Sequence, residues 1–190
     1  MARAFVAVVP PRDVLDAVGK VAWRAAHRPK ELALPRLLGP RWTARAQWHL
    51  TLQFLGNGVD LDAAAAALSG VRGDVASVRL GRVGGFASDR RATVLWLGVM
   101  QGARDLSALA AAVNAAMAPV VRAAEPREFH PHLTLARLAK PADVRAAAAL
   151  AAKVPIGPRW FADRLVLFES VTAPNGPRYR EHAELLLTRS

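Results

Sequence analysis

Two stretches decide how this chain folds: His49-Leu-Thr-Leu-Gln-Phe-Leu55 and His132-Leu-Thr-Leu-Ala-Arg-Leu138. Each is followed by a short turn and an alanine-rich helical segment, which begins near Asp60 in the first copy and near Asp143 in the second. The chain has only five His, so two His-Leu-Thr-Leu strings in matching contexts are not expected by chance. The repeat predicts that the chain consists of two similar halves.

The spacing of His and Thr places both side chains of each copy on one face of a strand. Successive strand side chains point to opposite faces, so His49 shares a face with Thr51, and His132 shares one with Thr134. The leucines between them then occupy a buried face. A single copy with this pattern is typical of a half-buried strand whose polar residues face solvent. A duplicated copy favours a shared site, because two halves packed about a pseudo-two-fold axis bring both faces to one central cleft.

The rest of the chain predicts an α+β fold. Strands are expected at 3–9, 47–55, 75–83, 92–100, 130–138, 162–170 and 181–188, and helices at 12–26, 60–71, 104–118 and 141–152. Residues 27–46 are expected to form a long ordered loop, and residues 173–177 a turn. Several strands are joined by short turns, which requires antiparallel pairing. We therefore predict a single bilobal domain over 1–190, with two pseudo-symmetric lobes of mainly antiparallel sheet and outer helices around a central cleft.

The composition excludes several classes of protein. Of the 190 residues 53% are hydrophobic, which is too many for an intrinsically disordered chain. There is no Cys, so disulfides, cysteine metal ligands and a thiol nucleophile are excluded. The apolar run at 4–9 is short and meets two prolines, which indicates a first strand rather than a signal peptide. Residues 106–121 are too short and too weakly apolar to span a bilayer. We expect a cytoplasmic protein with no membrane association.

The charge is strongly positive, with 26 Lys and Arg against 15 Asp and Glu, a formal net charge of +11. A protein this basic attracts polyanions. GC-rich coding is an alternative source of the charge, because 40 residues are Ala and only four of the basic residues are Lys. Such coding does not account for the shortage of acidic residues. The balance favours an anionic partner, with RNA or DNA ahead of a membrane.

Two imidazoles in one cleft suit acid–base catalysis near neutral pH, because the ordinary pKa of His is about 6.5. Phosphodiester cleavage needs a base that activates the attacking oxygen and an acid that protonates the leaving oxygen on the other side of phosphorus. Threonine hydroxyls can donate hydrogen bonds to the non-bridging oxygens. A zinc site is the alternative use of the histidines. Zinc takes three or four protein ligands, however, and the only further candidate ligand near these motifs is His130, which is separated from His132 by Pro131. The Gly-x-Ser-x-Gly elbow of a serine hydrolase is absent.

These residues resemble the two-histidine (2H) phosphoesterase superfamily, in particular its bacterial RNA 2′,3′-cyclic phosphodiesterase branch, also called 2′–5′ RNA ligase-like. The resemblance spans nearly the whole chain and includes both His-x-Thr motifs, Arg3-Ala-Phe5, Arg41-Trp42, Gly84-Gly-Phe86, Leu95-Trp-Leu-Gly98, and Ser170 with Gly176 and Tyr179. It implies hydrolysis of RNA 2′,3′-cyclic phosphate ends to 2′-phosphates without metal or cofactor. It also implies 2′–5′ RNA ligation as the reverse type of reaction.

The resemblance implies a role for each motif residue. His49 is expected to be the proton donor to the leaving 3′ oxygen, and His132 the proton acceptor that activates water. Phosphate binding is expected at Thr51, Thr134 and Arg137.

Further RNA contacts are predicted outside the motifs, by arginines that would bind phosphates and by aromatic rings that would stack on bases. The candidates are Arg90, Arg91, Phe86, Trp42 and Tyr179. Exposure to solvent is the alternative for the arginines, and core packing is the alternative for the rings.

Two other functions remain open on the sequence alone. One is a phosphodiesterase that acts on a small cyclic phosphate or a 2′–5′ oligonucleotide, and the other is a non-catalytic RNA-binding module. The partner that we expect is an RNA end with a 2′,3′-cyclic phosphate. We expect no cofactor, no metal and no obligate protein partner, and we expect the protein to be a monomer.

Overall fold

The computed structural model describes residues 2–121, 128–173 and 176–188. The strands in these ranges are β1 (Ala2–Val8), β2 (Arg41–Trp42), β3 (Leu50–Val59), β4 (Ala76–Phe86), β5 (Ala92–Gln101), β6 (His132–Ala142), β7 (Pro155–Ala162), β8 (Arg164–Val171) and β9 (Arg178–Leu186). The α-helices are α1 (Arg12–His27), α2 (Leu61–Ser69), α3 (Ala103–Met117) and α4 (Arg145–Ala151). Short 3₁₀ turns occupy Pro29–Leu32 and Arg45–Gln47.

The strands form one sheet in the order β7-β4-β5-β6-β3-β1-β8-β9, and β2 pairs with β6. Every pairing among the described strands is antiparallel. The two motif strands, β3 and β6, lie at the centre and pair through Leu50 and Leu133. Three strands follow on each side of this central pair, so the sheet consists of two matching halves. The predicted α+β fold, with its two halves and antiparallel sheet, is confirmed.

The helices cover one face of the sheet and leave the other open. α2 packs against β8 and β9 and α3 against β3, whereas α1 packs against β7 and α4 against β4. Leu50 and Leu133 are fully buried and belong to the core cluster that includes the helices, as do Leu52 and Leu135. The histidines and threonines of the motifs alternate with these leucines. They therefore lie on the open face, which is the floor of the cleft.

The helices that follow the motif strands begin near Asp60 and near Asp143, as the repeat predicts; Asp60 is the N-cap of α2, and Val144 is the N-cap of α4. The Asp60 carboxylate accepts hydrogen bonds from the backbone N–H groups of Asp62 and Ala63, at 3.0 and 3.1 Å. The Asp143 carboxylate accepts one from the backbone N–H of Arg145, at 3.1 Å. Aspartate at this position satisfies N–H groups that have no partner within the helix.

The structure differs from the sequence prediction mainly at the C-terminal end. Strand β7 was not predicted, because Pro155, Gly157 and Pro158 are atypical of a strand. It lies at the edge of the sheet, where proline is tolerated because one side of an edge strand needs no hydrogen-bond donors. Within the predicted loop 27–46, residues 41–42 form β2. The predicted turn at 173–177 lies partly outside the described residues. In the ranges that the structure describes, no helix is both long enough and apolar enough to cross a membrane.

Candidate active site

The structure brings the two motif histidines together on the open face of the sheet. His49 directly precedes Leu50, and His132 directly precedes Leu133, so the one pairing between β3 and β6 sets both imidazoles at the crossing of the two strands. The two rings are close enough that the charge of His132 lowers the pKa of His49. Both side chains are half-buried. This is the shared cleft that the repeat predicts.

The two imidazoles are held in the same way. His49 Nδ1 lies 2.7 Å from the backbone oxygen of Gln47, and His132 Nδ1 lies 2.7 Å from the backbone oxygen of His130. A carbonyl oxygen can only accept, so each Nδ1 carries a proton and donates it. In the neutral ring the lone pair is then on Nε2. Each histidine therefore has its second nitrogen available for proton transfer.

The hydrogen bonds at Nε2 differ between the halves. His49 Nε2 lies 3.0 Å from Thr51 Oγ1, which matches the face shared by these residues. Among the described residues, His132 makes no corresponding bond to Thr134. The side chain of His130 is directed towards Glu128, with Nε2 3.5 Å from the carboxylate. His130 thus contributes to the site through its backbone carbonyl, which orients His132.

Aromatic rings pack against His49. Phe5 stacks on the imidazole, with ring centroids 4.7 Å apart and planes at 27°. Tyr179 meets the same imidazole edge-on, at 5.4 Å and 84°. Phe168 stacks on Phe5 at 5.2 Å and lies 6.2 Å from the His49 imidazole. These rings exclude water from one side of His49 and fix the plane of its imidazole.

A second set of rings packs against His132. Phe86 meets its imidazole edge-on, with centroids 4.7 Å apart and planes at 86°. Trp96 lies beside both rings, 5.5 Å from Phe86 and 6.3 Å from His132. A Cβ atom on Gly84 would clash with the Trp96 ring, so the Gly84-Gly-Phe86 sequence lets this tryptophan lie flat on β4.

Burial lowers the pKa of both histidines. The pKa of His49 falls from 6.5 to about 4, chiefly through desolvation, against the opposing effect of the hydrogen bond to the Gln47 carbonyl. Desolvation also lowers the pKa of His132, and the nearby charges of His130 and Arg137 add to this effect. Burial raises the pKa of Tyr179, while the charges of Arg137 and Arg3 oppose the rise. At neutral pH the cleft therefore holds two neutral imidazoles beside arginines.

A β-bulge brings Arg137 into the cleft. Thr134 and Ala136 of β6 pair with two consecutive residues of β5. Leu135, between them, therefore has no pairing partner on β5 and is the extra residue of a bulge. Strict alternation places Arg137 on the helix-covered face, but the bulge returns it to the face of Thr134, opposite Val94 of β5. Its side chain is exposed and its charge acts on the pKa of His132. The bulge therefore explains how Arg137, which the family resemblance places at the phosphate, lies on the same face as the motif residues.

A matching bulge lies in the other half. Thr51 and Gln53 of β3 face neighbouring residues of β1, so Leu52 is the extra residue. Phe54 consequently returns to the face of Thr51, where it lies opposite Phe5. Each threonine is thus followed, three residues on, by a side chain in the cleft, which is Phe54 in one half and arginine in the other. Sequence reasoning missed Phe54, because simple alternation places it in the core.

Arg41 is a second residue that sequence reasoning did not single out as part of the site. It pairs with Arg137 across β2 and β6, so the two side chains lie on the same face. Both are exposed, and neither forms a salt bridge in the part of the chain that the structure describes. Two adjacent arginines without an acidic partner repel each other, so an anion bound between them would stabilise this end of the cleft.

The other predicted contacts divide into two groups. Phe86 and Tyr179 lie in the cleft against the histidines, whereas Trp42 is partly buried against the main core, which is the alternative that the sequence left open. Arg90 and Arg91 are exposed in the turn between β4 and β5. The charge of Arg90 helps to lower the pKa of the Asp143 carboxyl.

An apolar cavity of about 380 Å³ lies on the opposite side of the sheet from the histidines. It is enclosed by α1, α4 and the buried face of the sheet, and Leu135 and Leu95 line it. Neither histidine and neither motif threonine borders it. The cavity is therefore separate from the motif histidines and threonines.

Comparison with known proteins identifies the family. The model of the 2′-5′ RNA ligase superfamily matches residues 18–173. The chain therefore belongs to the 2′-5′ RNA ligase superfamily, which confirms the resemblance seen in its motifs.

Relatives with assigned activities match large parts of the chain. An RNA 2′,3′-cyclic phosphodiesterase of Escherichia coli (strain K12) is 32% identical over 137 residues, which are 71% of this chain and 71% of that protein. An RNA 2′,3′-cyclic phosphodiesterase of Aeropyrum pernix is 33% identical over 93 residues, 48% of this chain and 53% of that protein.

Solved structures share the fold over almost the full length. Escherichia coli LigT complexed with NADP+ is 27% identical, with a TM-score of 0.69 and coverage of 99% of both chains. TT0787 of Thermus thermophilus is 24% identical with a TM-score of 0.72 over 97% of both chains, a likeness that concerns the fold alone.

Proposed function

We propose that this protein hydrolyses RNA 2′,3′-cyclic phosphate ends to 2′-phosphates, with His49 and His132 as the acid and the base. The observation that carries the proposal is the matched setting of the two imidazoles. Each has Nδ1 bound to the carbonyl two residues earlier, which leaves Nε2 as the nitrogen that can exchange a proton in the shared cleft. The two phosphodiesterase relatives support the choice of substrate.

In the proposed reaction a water molecule attacks phosphorus on the side opposite the 3′ oxygen. His132 Nε2 takes the proton of this water while the new P–O bond forms. His49, protonated at Nε2, gives its proton to the 3′ oxygen as the P–O3′ bond breaks. The product keeps the phosphate on the 2′ oxygen. The assignment of His49 as donor and His132 as acceptor follows the family resemblance. The matched setting of the two imidazoles supports the proposal that they act together.

The remaining motif residues bind the phosphate. Thr51 and Thr134 share the face of the histidines, and their hydroxyls would donate hydrogen bonds to the non-bridging oxygens. Arg137 would compensate the charge that builds up on these oxygens, because the bulge brings it to the same face. The bound anion also favours a protonated imidazole, which offsets the lowered pKa of the proton donor.

The same chemistry accommodates ligation. If the 5′-hydroxyl of a second RNA takes the place of water, His132 removes its proton and His49 again protonates the 3′ oxygen. The product is a 2′–5′ phosphodiester. We propose this as a second reaction, which should appear only at high concentrations of RNA with a 5′-hydroxyl.

The direct test uses an oligonucleotide with a 2′,3′-cyclic phosphate, incubated with the protein in EDTA. We expect hydrolysis to a 2′-phosphate, identified by its resistance to a 3′-specific phosphatase. Turnover only after metal addition would contradict the acid–base mechanism. Hydrolysis of a 2′–5′ linked dinucleotide in preference to the cyclic end would point instead to the alternative substrate class. Binding without turnover would indicate a non-catalytic RNA-binding module.

A further inference from the structure

The helices that cover the sheet are packed differently in its two halves. In the half that contains β3, α2 and α3 pack against each other. In the other half, α1 packs against β7 and α4 against β4, and the 3₁₀ turn Pro29–Leu32 contacts both helices. The apolar cavity of about 380 Å³ lies between α1 and α4. Protein interiors hold few spaces larger than a water molecule, so a space of this size is a distinct feature of this half.

Alanines on both helices create the space. Ala17 and Ala25 line the cavity from α1, and the sheet contributes larger side chains such as Leu95. Ala147 and Ala151 line it from α4. An alanine side chain ends at Cβ, so the two helices face each other across a gap that their side chains do not fill. The result is a preformed apolar pocket at the lower end of the volume range of small-molecule sites.

The mouth of this cavity combines apolar and cationic side chains. Leu150 and Val154 line it with 53% and 52% of their surfaces exposed, so the apolar surface continues outward to solvent. Lys20 and Arg24 line it from α1, one helical turn apart. Both are exposed, and neither forms a salt bridge within the described ranges. The positive charge therefore lies on the α1 side alone of the residues that line the cavity.

This arrangement suits a ligand with a long apolar tail and a single anionic head. Each methylene of the tail that leaves water for the cavity favours binding. A carboxylate head fits beside Lys20 and Arg24, because a guanidinium can bind both of its oxygens. At the exposed mouth the head stays hydrated, which avoids the cost of burying a charge. Asp16 adjoins the two cations, but its carboxylate is bound by Arg45 at 2.7 Å.

We propose that the cavity binds a free fatty acid of medium chain length, with its tail between α1 and α4 and its carboxylate on Lys20 and Arg24. The site is separate from the two histidines and does not depend on the proposed function. It reaches the second motif from behind, because Leu135, the extra residue of the bulge in β6, lines the cavity. A bound acid would thus pack against the strand that carries His132 and Arg137.

Isothermal titration calorimetry with sodium decanoate, below the concentration at which it forms micelles, tests the proposal on the wild-type protein. We expect saturable binding of one molecule per chain. The affinity should rise by up to about fourfold for each methylene added between hexanoate and decanoate, the gain expected for burying a methylene. Decyltrimethylammonium has the same tail and a cationic head, and it should bind at least about tenfold more weakly, because like charges would face each other.

Two pairs of variants locate the binding. Ala151→Leu fills the cavity from α4 and should weaken decanoate binding by about tenfold or more, because its added carbons take the place of ligand methylenes. Ala146→Leu makes the same change at an exposed position of α4 and should bind like the wild type. Arg24→Gln should weaken binding by about two- to fivefold, the range that an exposed ion pair supplies. Arg12→Gln removes the same charge from α1 at a position that does not line the cavity, and it should have no effect.

Three results would overturn the proposal: no saturable binding of decanoate, equal affinity in the wild type and Ala151→Leu, or equal affinity for decanoate and decyltrimethylammonium. Val21→Phe fills the cavity from the α1 side and should behave like Ala151→Leu, which decides the matter if that variant does not fold. Co-sedimentation with anionic phospholipid vesicles that is lost in Ala151→Leu would assign the cavity to a membrane lipid and would also contradict a free acid as the ligand.

Discussion

Leu50 and Leu133 pair with each other at the centre of the sheet, and both side chains are fully buried. This contact joins the two halves of the molecule and fixes the strands in register. Because each leucine follows a histidine directly, the register also fixes the two imidazoles side by side in the cleft. The core contact and the proposed acid–base pair thus lie on opposite faces of the sheet and involve only four residues, two leucines and the histidines before them.

The pH dependence of hydrolysis should reflect the lowered pKa values of the histidines. The proposed mechanism needs one protonated and one neutral imidazole in the free protein, and the pKa of both histidines is lowered from 6.5. We therefore expect kcat/KM to have its maximum on the acid side of pH 6.5 and to decline towards pH 8. The decline of kcat should come at higher pH, because bound phosphate favours the imidazolium. A value of kcat/KM that rises steadily from pH 6 to 8 would refute this account.

The burial of His49 should make the folded state sensitive to acid. The unfolded chain takes up a proton on this residue near pH 6.5 and the folded protein only near pH 4. The unfolded state therefore binds more protons in between, and stability is lost as the pH falls from 6.5 towards 4. His49→Gln should abolish this loss of stability. The loss amounts to up to about 3 kcal/mol, because each unit of pKa shift corresponds to about 1.4 kcal/mol.

Urea unfolding at pH 7 and pH 4.5 measures this effect. The difference in free energy of unfolding between the two pH values should be smaller for His49→Gln than for the wild type. The control is His27→Gln, which replaces an exposed histidine on α1 and should leave the difference as it is. Equal pH dependence in the wild type and His49→Gln would show that the burial of His49 does not destabilise its charged form.

Arg137 and Arg41 should account for part of the salt dependence of RNA binding. Replacing a phosphate-contacting arginine lowers the slope of log affinity against log salt by about 0.7 for a single strand. We expect this for Arg137→Gln and for Arg41→Gln, together with weaker binding at low salt. Arg104→Gln on α3 removes an equal charge from the helix-covered side and should change the slope less. Equal slopes in all three variants would indicate that the charge acts diffusely.

The roles of donor and acceptor can be separated with an altered leaving group. In a cyclic phosphate whose 3′ oxygen is replaced by sulfur, the leaving thiolate needs no proton. We expect His49→Ala to recover much of its lost rate on this substrate and His132→Ala to recover little. The reverse pattern would assign the acid role to His132, and equal recovery would argue against distinct roles.

The repeat made much of this molecule predictable. The two His-x-Thr strings defined the strands, the face of each motif histidine and threonine, and the helices that begin near Asp60 and Asp143, because alternation and capping are local properties of the sequence. Strand β7 was missed because its prolines are tolerated only through its place at the edge of the sheet, which depends on distant residues.

The cleft shows the limit of alternation more clearly. Phe54 and Arg137 both follow a bulge, and a bulge shifts every later side chain to the opposite face. The sequence marks neither bulge, since Leu52 and Leu135 continue the apolar pattern. Arg137 was expected at the phosphate only through the family resemblance, and Phe54 became visible only in the folded chain. Arg41 likewise joins the cleft through a two-residue strand, which is too short to predict from sequence.

The central claim is that His49 and His132 act as one acid–base unit, and single-turnover hydrolysis of a 2′,3′-cyclic end tests it most directly. His49→Ala and His132→Ala should each lower the rate by about a hundredfold to ten-thousandfold, the range that a positioned acid or base supplies. The double variant should be little slower than either single variant, because residues that act together are not additive. Losses that multiply in the double variant, or a single variant with nearly the full rate, would contradict the claim.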